Sequence, residues 1–109
     1  MAVVGAGFVG MEVAASARSL GVEVVLIDVM PAPLAGLLGP DVSRWLVGLH
    51  RDEGVEVVLG EGVAAARRGA LELVSGRLVA CDHVVVGIGV VRARRSAWSA
   101  ALMSSSPTT

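Results

Sequence analysis

A glycine-rich turn between two apolar segments is the feature that most constrains how this chain folds. Residues 1–4 form a short apolar run typical of a buried strand. Gly5, Gly7 and Gly10 follow in the spacing G-x-G-x-x-G. Residues 8–20 are rich in alanine, with Val9, Val13, Ala17 and Leu20 at helical spacing. A strand, a tight turn and a helix in this order predict the first unit of a doubly wound α/β fold.

Each glycine of the turn has its own expected role. Gly5 allows the tight turn, Gly7 lets the backbone approach a pyrophosphate, and Gly10 permits close packing of helix on strand. The helix N-terminus adds free N–H groups and the positive end of a dipole. The motif therefore predicts a phosphate-binding turn. The alternative is a glycine-rich turn in an unrelated α/β protein.

An acidic residue stands where a dinucleotide-binding fold needs one. Residues 22–28 are β-branched and mostly apolar, which predicts a second buried strand that ends at Asp28. A carboxylate there can accept hydrogen bonds from both hydroxyls of the adenosine ribose. It would repel a 2′-phosphate, and the first basic residue after it is Arg44, inside the next predicted helix. NAD(H) is therefore favoured over NADP(H).

The segment after Asp28 is predicted as a loop followed by a second helix. Residues 30–40 contain three of the four prolines. Asp41 is a candidate cap for a helix that runs to about Glu53. His50 is expected on the outer side of this helix. The face expected to pack on the sheet consists of Val42, Trp45, Leu46 and Leu49.

The second half of the chain predicts strands rather than a third helix. Residues 55–59 read as a third strand, and glycines then interrupt the chain repeatedly. Residues 63–68 predict one more strand, although their alanine run is also compatible with a helix, and residues 71–74 with 77–79 predict a hairpin. Residues 84–86 predict the last buried strand. The expected fold class is a Rossmann-like three-layer α/β domain, with a mostly parallel sheet, two helices and an antiparallel β-meander as crossover.

Composition and charge limit the class of protein and its partners. Hydrophobic residues make up 54% of the chain and charged residues 17%, which excludes a disordered chain. The net charge of −1 gives no reason to expect nucleic acid or an acidic membrane as a partner. The longest charge-free runs, 29–40 and 96–109, are shorter than the ~18–20 apolar residues of a membrane span. The start lacks the basic region of a secretory signal, so a cytoplasmic location is expected.

Other reactive side chains do not form a recognisable site. Cys81 is the single cysteine, and His50 and His83 have no partner at ligand spacing, so no metal site and no catalytic residue are nominated. Glu12, expected in the first turn of the first helix, has two interpretations. One is a favourable position at the positive end of the helix dipole, which local chemistry favours, and the other is a contact to the nicotinamide end of a cofactor.

These motifs together resemble the NAD(H)-binding domain of the FAD-dependent pyridine nucleotide–disulfide oxidoreductases. The resemblance is greatest to the NADH–ferredoxin reductases of oxygenase systems, the type that includes putidaredoxin and rhodocoxin reductases. The matching stretches lie at 3–14, 21–28, 33–34, 38–40, 49–51 and 82–91.

The resemblance implies a role for each matching position. The glycine turn would hold the pyrophosphate of NADH, Asp28 its adenosine ribose, and Glu12 would approach the nicotinamide. Residues 87–89 would lie where the domain meets the cofactor and the flavin domain. In such enzymes NADH passes a hydride to FAD, and electrons then go singly to a ferredoxin. The candidate cofactor-binding residues are Gly5, Ala6, Gly7, Phe8, Val9, Gly10, Glu12, Asp28, Gly87, Ile88 and Gly89.

The sequence also departs from the family. Arginines commonly follow the ribose-binding acid, whereas Ala32 and Gly36 occupy those positions here. The family's continuation after the last strand is replaced by Arg92 and Ala93, next to a basic cluster that we interpret as solvated. We expect residues 1–91 to form the NAD(H)-binding domain and residues 92–109 a disordered or aberrant tail.

No FAD-binding glycine motif precedes the turn, so the chain resembles one domain of a larger enzyme. Alone, it is expected neither to bind FAD nor to reduce ferredoxin. The isolated chain is also expected to have a sticky, apolar surface and to be marginally stable. The alternatives are a stand-alone dinucleotide-binding or regulatory module and a non-functional gene remnant. A conventional dehydrogenase is disfavoured, because the chain offers neither a catalytic base nor a second domain.

Overall fold

The chain alternates strands and helices in its first half, and the described residues after β3 form strands. The computed structural model describes residues 1–86 and 89–92. The elements in chain order are β1 (Ala2–Val4), α1 (Phe8–Ser19), β2 (Val25–Asp28), α2 (Ala35–Leu38), α3 (Pro40–Asp52), β3 (Glu56–Leu59), β4 (Val63–Arg67), β5 (Ala70–Leu73), β6 (Leu78–Ala80), β7 (His83–Val86) and β8 (Gly89–Arg92).

Five strands form the main sheet in the order β3-β2-β1-β7-β8. The strands β3, β2, β1 and β7 are parallel, and β8 runs antiparallel to β7. In the central register Val3 lies between Leu26 of β2 and Val85 of β7. Parallel strands end at the same edge of their sheet, so the segments that follow β1, β2 and β3 meet there. The Rossmann-like fold predicted from the sequence is confirmed.

Helices cover one face of the main sheet and the β-meander covers the other. Because side chains alternate along each strand, neighbouring residues such as Leu26 and Ile27 enter different core layers, and both are fully buried. Burial on both faces of the sheet accounts for much of the high hydrophobic content of the sequence, 54% of its residues. The helix side buries Val3, Met11, Ala14, Ala17, Leu26, Val47, Val57 and Val85. The meander side buries Ala2, Ile27, Val58, Leu71, Leu73, Val79, Val84 and Val86.

The buried face of α1 agrees with the predicted pattern at Ala17 and, in part, at Val13, but differs from it at Val9 and Leu20. Met11, Ala14 and Ala17 face the sheet, whereas Val9 is 65% exposed and Leu20 is 82% exposed. Small side chains allow the helix axis to lie close to the strands, so alanines contact the sheet where larger residues would not fit. The aliphatic spacing therefore predicted the packing face of this helix only in part.

Helix α3 begins with proline rather than with an acidic cap. Pro40 occupies the first turn after Gly39, and no side chain in the described part of the chain caps the helix, so the predicted capping by Asp41 is wrong. Proline suits this position because its fixed φ is already helical and its missing N–H would have had no partner in the helix. Asp41 lies within the first turn, where its charge is favourable to the dipole.

The buried face of α3 was predicted correctly at Leu46, which is partly buried against the core, but wrongly at most other positions. Ser43, Val47 and His50 are buried, whereas Trp45 is 62% exposed and does not pack on the sheet. The two polar residues are buried because they have partners. The Ser43 hydroxyl donates to the carbonyl of Pro33. The ring nitrogens of His50 lie 2.8 Å from the carbonyl of Leu46 and 2.9 Å from that of Met11, which joins α3 to α1.

The predicted loop before α3 contains a short additional helix. Helix α2 is a single turn, and Leu34 before it has a φ of 63°, the left-handed conformation that few residues other than glycine adopt. None of the helices within residues 1–86 and 89–92 has both the length and the apolar content of a membrane span.

The predicted β-meander is confirmed. Strands β4, β5 and β6 form an antiparallel sheet in chain order, so residues 63–67 are a strand and the helical alternative is wrong. Arg67 and Glu72 pair across β4 and β5 at 2.5 Å. Arg77 pairs with Glu56 at 2.7 Å and so connects the meander with the outer strand of the main sheet.

Candidate functional site

The candidate site lies at the edge where the parallel strands end. The glycine turn follows β1, Asp28 ends β2, and residues 60–62 follow β3, which places three chain segments side by side. Ligands of open α/β sheets bind outside this carboxyl edge, near the point where strand order reverses. Here β1 is that point, since β2 lies on one side of it and β7 on the other.

Gly5 makes the turn that leads from β1 toward α1. Its φ of +103° lies in the region that L side chains rarely adopt. Its N–H donates to the carbonyl of Ile27 at 2.7 Å, which ties the start of the turn to β2. The conformation expected from the motif is therefore present.

Gly10 is where helix and turn approach most closely. A Cβ added at Gly10 would lie 1.9 Å from the carbonyl oxygen of Gly5 and 3.5 Å from a side-chain carbon of Val3. The first of these distances is far inside van der Waals contact, so no side chain fits here. This agrees with the packing role expected for the third glycine.

Gly7 differs from the other two glycines of the motif. Its φ of −77° is available to any residue, and a Cβ added there would meet nothing within 4 Å. Neither backbone strain nor packing within the described residues demands a glycine, so the space beside Gly7 is open. That space adjoins the N-terminus of α1, which no side chain caps, and the flanking Phe8 and Val9 are 51% and 65% exposed. A phosphate group fits the chemistry of this position.

Asp28 is oriented by the glycine turn itself. Its Oδ2 accepts a hydrogen bond from the N–H of Ala6 at 2.6 Å, and its Oδ1 accepts one from the N–H of Met30 at 2.8 Å. The carboxylate is half-buried, and Ala6 is fully buried. Each carboxylate oxygen has a second acceptor position, so both can also accept ribose hydroxyls.

Glu12 is farther along α1 than the sequence predicted. The first turn of α1 contains no acidic residue, and Glu12 is exposed at the start of the second turn. The effect of a helix dipole decreases within the first turn, so the interpretation of Glu12 as a dipole partner loses most of its basis. Its side chain is available to a ligand that extends along the helix.

The third part of the predicted site is described only in part. Gly87 and Ile88 lie outside the described residues, as do residues 93–109 of the predicted tail. Gly89 begins β8 and pairs with Val86, so its backbone lies at the carboxyl end of β7. This is the same edge of the sheet as the glycine turn.

Glu61 belongs to this edge but was missed by sequence reasoning. Its N–H donates to the carbonyl of Asp28 at 3.3 Å, so it lies beside the predicted ribose site. Its side chain is half-buried, and the Oε1 atom is buried without a hydrogen-bond partner among the described residues. A carboxylate between two glycines directly after the third strand was the signal that could have found it.

The other reactive groups do not assemble into a catalytic site. Within the described part of the chain, no three His, Cys, Asp or Glu side chains come together to hold a metal ion. Cys81 is buried, and its thiol donates to the carbonyl of Val79 at 3.5 Å. Burial raises the pKa of the Cys81 thiol, and the adjacent carboxylate of Asp82 adds to the rise. Cys81 is therefore a protonated core residue.

Comparison with known proteins identifies similar chains. The profile of the pyridine nucleotide-disulphide oxidoreductases matches residues 1–104. Rhodocoxin reductase of Rhodococcus erythropolis is 40% identical over 96 residues, which cover 84% of this chain and 22% of that protein. The ferredoxin–NAD(+) reductase subunit of the benzene 1,2-dioxygenase system of Pseudomonas putida is 36% identical over 104 residues, 92% of this chain and 25% of that one.

A solved structure shares the fold. The crystal structure of the covalent complex of putidaredoxin reductase with putidaredoxin superposes with a TM-score of 0.76 at 31% identity. The match covers 92% of this chain and 25% of that one. This chain thus spans about a quarter of the length of these relatives.

Proposed function

The chain belongs to the pyridine nucleotide-disulphide oxidoreductase family, and we propose that it is the NADH-binding portion of an FAD-dependent ferredoxin reductase. The observation that carries the proposal is the hydrogen bond of 2.6 Å from the N–H of Ala6 to Oδ2 of Asp28. It couples the turn suited to a pyrophosphate with the carboxylate suited to a ribose, so one ligand that carries both groups fits the edge.

Each end of the dinucleotide has its own residues in this proposal. The open space at Gly7 and the free N–H groups at the start of α1 would take the pyrophosphate. Asp28 would accept the ribose hydroxyls, and the exposed Glu12 would approach the nicotinamide. Gly87, Ile88 and Gly89 would border the cofactor on the side of β7.

The surroundings of Asp28 favour NADH over NADPH. A 2′-phosphate would meet the negative carboxylate of Asp28 and would need a basic partner nearby. The first basic side chain after it, Arg44, lies on α3, is 82% exposed and is 3.9 Å from Asp41. That position supports a preference for the unphosphorylated ribose.

The electron-transfer chemistry belongs to the whole protein. FAD, when bound, accepts two electrons from NADH and releases them one at a time to an iron–sulfur ferredoxin. We propose this activity, with an FAD-binding domain and a ferredoxin as partners, because the named relatives are ferredoxin reductases. The 109-residue chain alone is expected to bind NADH, mainly through residues 1–91, and is not expected to bind FAD. We also propose that the protein is located in the cytoplasm, as expected from the sequence.

Calorimetric titration of the full chain with NADH and with NADPH tests the proposal. NADH is expected to bind and NADPH to bind at least about tenfold more weakly. Asp28→Ala is expected to weaken NADH binding by a similar factor, whereas Asp52→Ala, an exposed change at the end of α3, is the matched control. If a folded sample gave no heat of binding with either dinucleotide, this would contradict the binding function and would favour a non-functional gene remnant. If the isolated chain bound FAD and reduced a dye with NADH, it would contradict the proposal that FAD binding and electron transfer need a further domain.

A further inference from the structure

The order of the strands determines where each part of a bound dinucleotide would lie. The pyrophosphate site follows β1, and the ribose acceptor Asp28 ends β2. Neighbouring strands are about 4.8 Å apart, so one further step across the sheet reaches the residues that follow β3. This inference rests on the proposed function: if the ribose binds at Asp28, the base attached to that ribose lies over the end of β3.

The segment after β3 lies beside an apolar surface suited to a flat base. This surface consists of Val29 and Met30, which directly follow the buried strand β2 and are 58% and 56% exposed. Gly60 donates from its N–H to the carbonyl of Met30 at 3.3 Å, so this segment runs beside the end of β2. A Cβ at Gly62 would lie only 3.1 Å from a side-chain carbon of Val29, which shows how closely the two segments approach. Exposed apolar side chains over closely packed backbone can contact the face of an aromatic ring.

Glu61 supplies an unused acceptor in the same place. Its N–H is bonded to Asp28, but its carboxylate accepts no hydrogen bond from the described residues and buries Oε1. Buried polar atoms of folded proteins nearly always have a partner, because desolvation without one costs free energy. No hydrogen bond from residues 1–86 or 89–92 restrains the group, and a carboxylate turns readily about its terminal torsion. A ligand that brings a donor to this carboxylate would therefore supply the missing interaction.

We propose that Glu61 is a specificity-determining residue that accepts a hydrogen bond from the exocyclic N6 amino group of adenine. The amino group donates, and an ionised carboxylate only accepts, so the two are complementary. A hypoxanthine base carries a carbonyl oxygen at this position. Two acceptors would then face each other, and the carboxylate could accept a hydrogen bond only if the base shifted to bring its neighbouring N1–H into that place. Discrimination between the two bases is expected to be about tenfold or more, in favour of adenine.

The test compares NADH with reduced nicotinamide hypoxanthine dinucleotide, which differs in the base alone. Both are titrated into the full chain and into Glu61→Gln. The glutamine amide has the shape of the carboxylate but can either accept from the adenine amino group or donate to the hypoxanthine oxygen. The tenfold preference of the wild-type chain is therefore expected to fall to within about twofold in this variant. Glu23→Gln, an exposed change at the other end of β2, is expected to keep the wild-type ratio.

The outcomes separate this inference from the proposed function. If the wild-type chain binds NADH but Glu61→Gln leaves the ratio between the two dinucleotides unchanged, the role of Glu61 is overturned and the NADH site stands. If the folded wild-type chain binds neither dinucleotide, both proposals fail. A purely structural role of Glu61 would lower Tm in the variant without altering the ratio.

Discussion

Gly10 lies so close to the carbonyl oxygen of Gly5 that a Cβ on it would be 1.9 Å from that atom. The contact is between backbone groups, which cannot move aside as a flexible side chain would. It sets how closely α1 passes over the end of β1, and thus where the helix N-terminus points. The two glycines therefore make one geometric unit, and Gly7 between them takes no part in this contact.

Replacement of Gly10 by alanine is expected to destabilise the fold. Overpacking usually costs about 1–3 kcal/mol, and a clash with fixed backbone belongs at the upper end or beyond. Urea unfolding followed by circular dichroism measures the change in the free energy of unfolding. A Gly10→Ala chain as stable as the wild type would show that α1 can shift away from the turn at little cost.

Replacement of Gly7 by alanine is expected to spare the fold and remove binding. The added Cβ meets no atom of the described chain within 4 Å, and φ is −77°. Alanine is a poorer N-cap than glycine but lowers the entropy of the unfolded chain, so stability should change by no more than about 1 kcal/mol. The Cβ would occupy the space assigned to the pyrophosphate, and the affinity for NADH should fall at least about tenfold. Undiminished binding in a calorimetric titration would move the pyrophosphate away from Gly7.

His50 is expected to stabilise the packing of α3 on α1. It is buried, and its ring nitrogens lie 2.8 Å from the carbonyl of Leu46 and 2.9 Å from that of Met11. His50→Ala removes these contacts and opens a cavity, for an expected loss of about 2–3 kcal/mol, or a fall in Tm of roughly 10 °C. Trp45→Ala on the same helix is the control, because its exposed side chain should contribute only about 0.5 kcal/mol. Equal effects of the two changes would mean that the buried face of α3 has been assigned wrongly.

Cys81 is expected to be unreactive until the chain unfolds. Burial raises the pKa of its thiol, so less of the nucleophilic thiolate is present at a given pH. Alkylation by iodoacetamide at pH 8 should be much slower in buffer than in concentrated urea. Rapid labelling of the native chain would contradict the burial of this side chain.

The same pKa shift predicts how stability depends on pH. The folded thiol keeps its proton more tightly than the unfolded one, whose pKa is about 8.5. Stability is therefore unaffected by this group below about pH 8.5 and decreases as the pH rises from there toward the folded pKa. Urea midpoints are measured for wild type and Cys81→Ala between pH 7 and 10. The difference between the two midpoints should stay constant up to about pH 8.5 and should change only above that pH.

The strand–turn–helix order and the motif residues were predictable because they depend on local chemistry. Gly5 adopts a conformation that few other residues tolerate, and Asp28 ends a strand whose apolar run is visible in the sequence. Frequent glycines with alternating short runs were sufficient to predict the β-meander. These features depend on residues that are close together in the chain, so local sequence patterns were sufficient to predict them.

The faces of the helices depended on contacts between segments far apart in the chain. Trp45 was expected in the core and is exposed, while His50 was expected outside and is buried, because Met11 of another helix offers it a carbonyl. Hydrophobicity alone cannot show that a polar side chain has a distant partner that offsets its desolvation.

The sequence by itself thus determined the fold class, the glycine turn and the acid at the end of β2. Only the tertiary structure decided that Ala6 donates to Asp28 and that Glu61 lies beside it with an oxygen unpaired among the described residues. The physical reason is that parallel strands distant in sequence end at one edge of the sheet. Which of their side chains share that edge, and which lack partners there, depends on register and packing that local patterns do not contain.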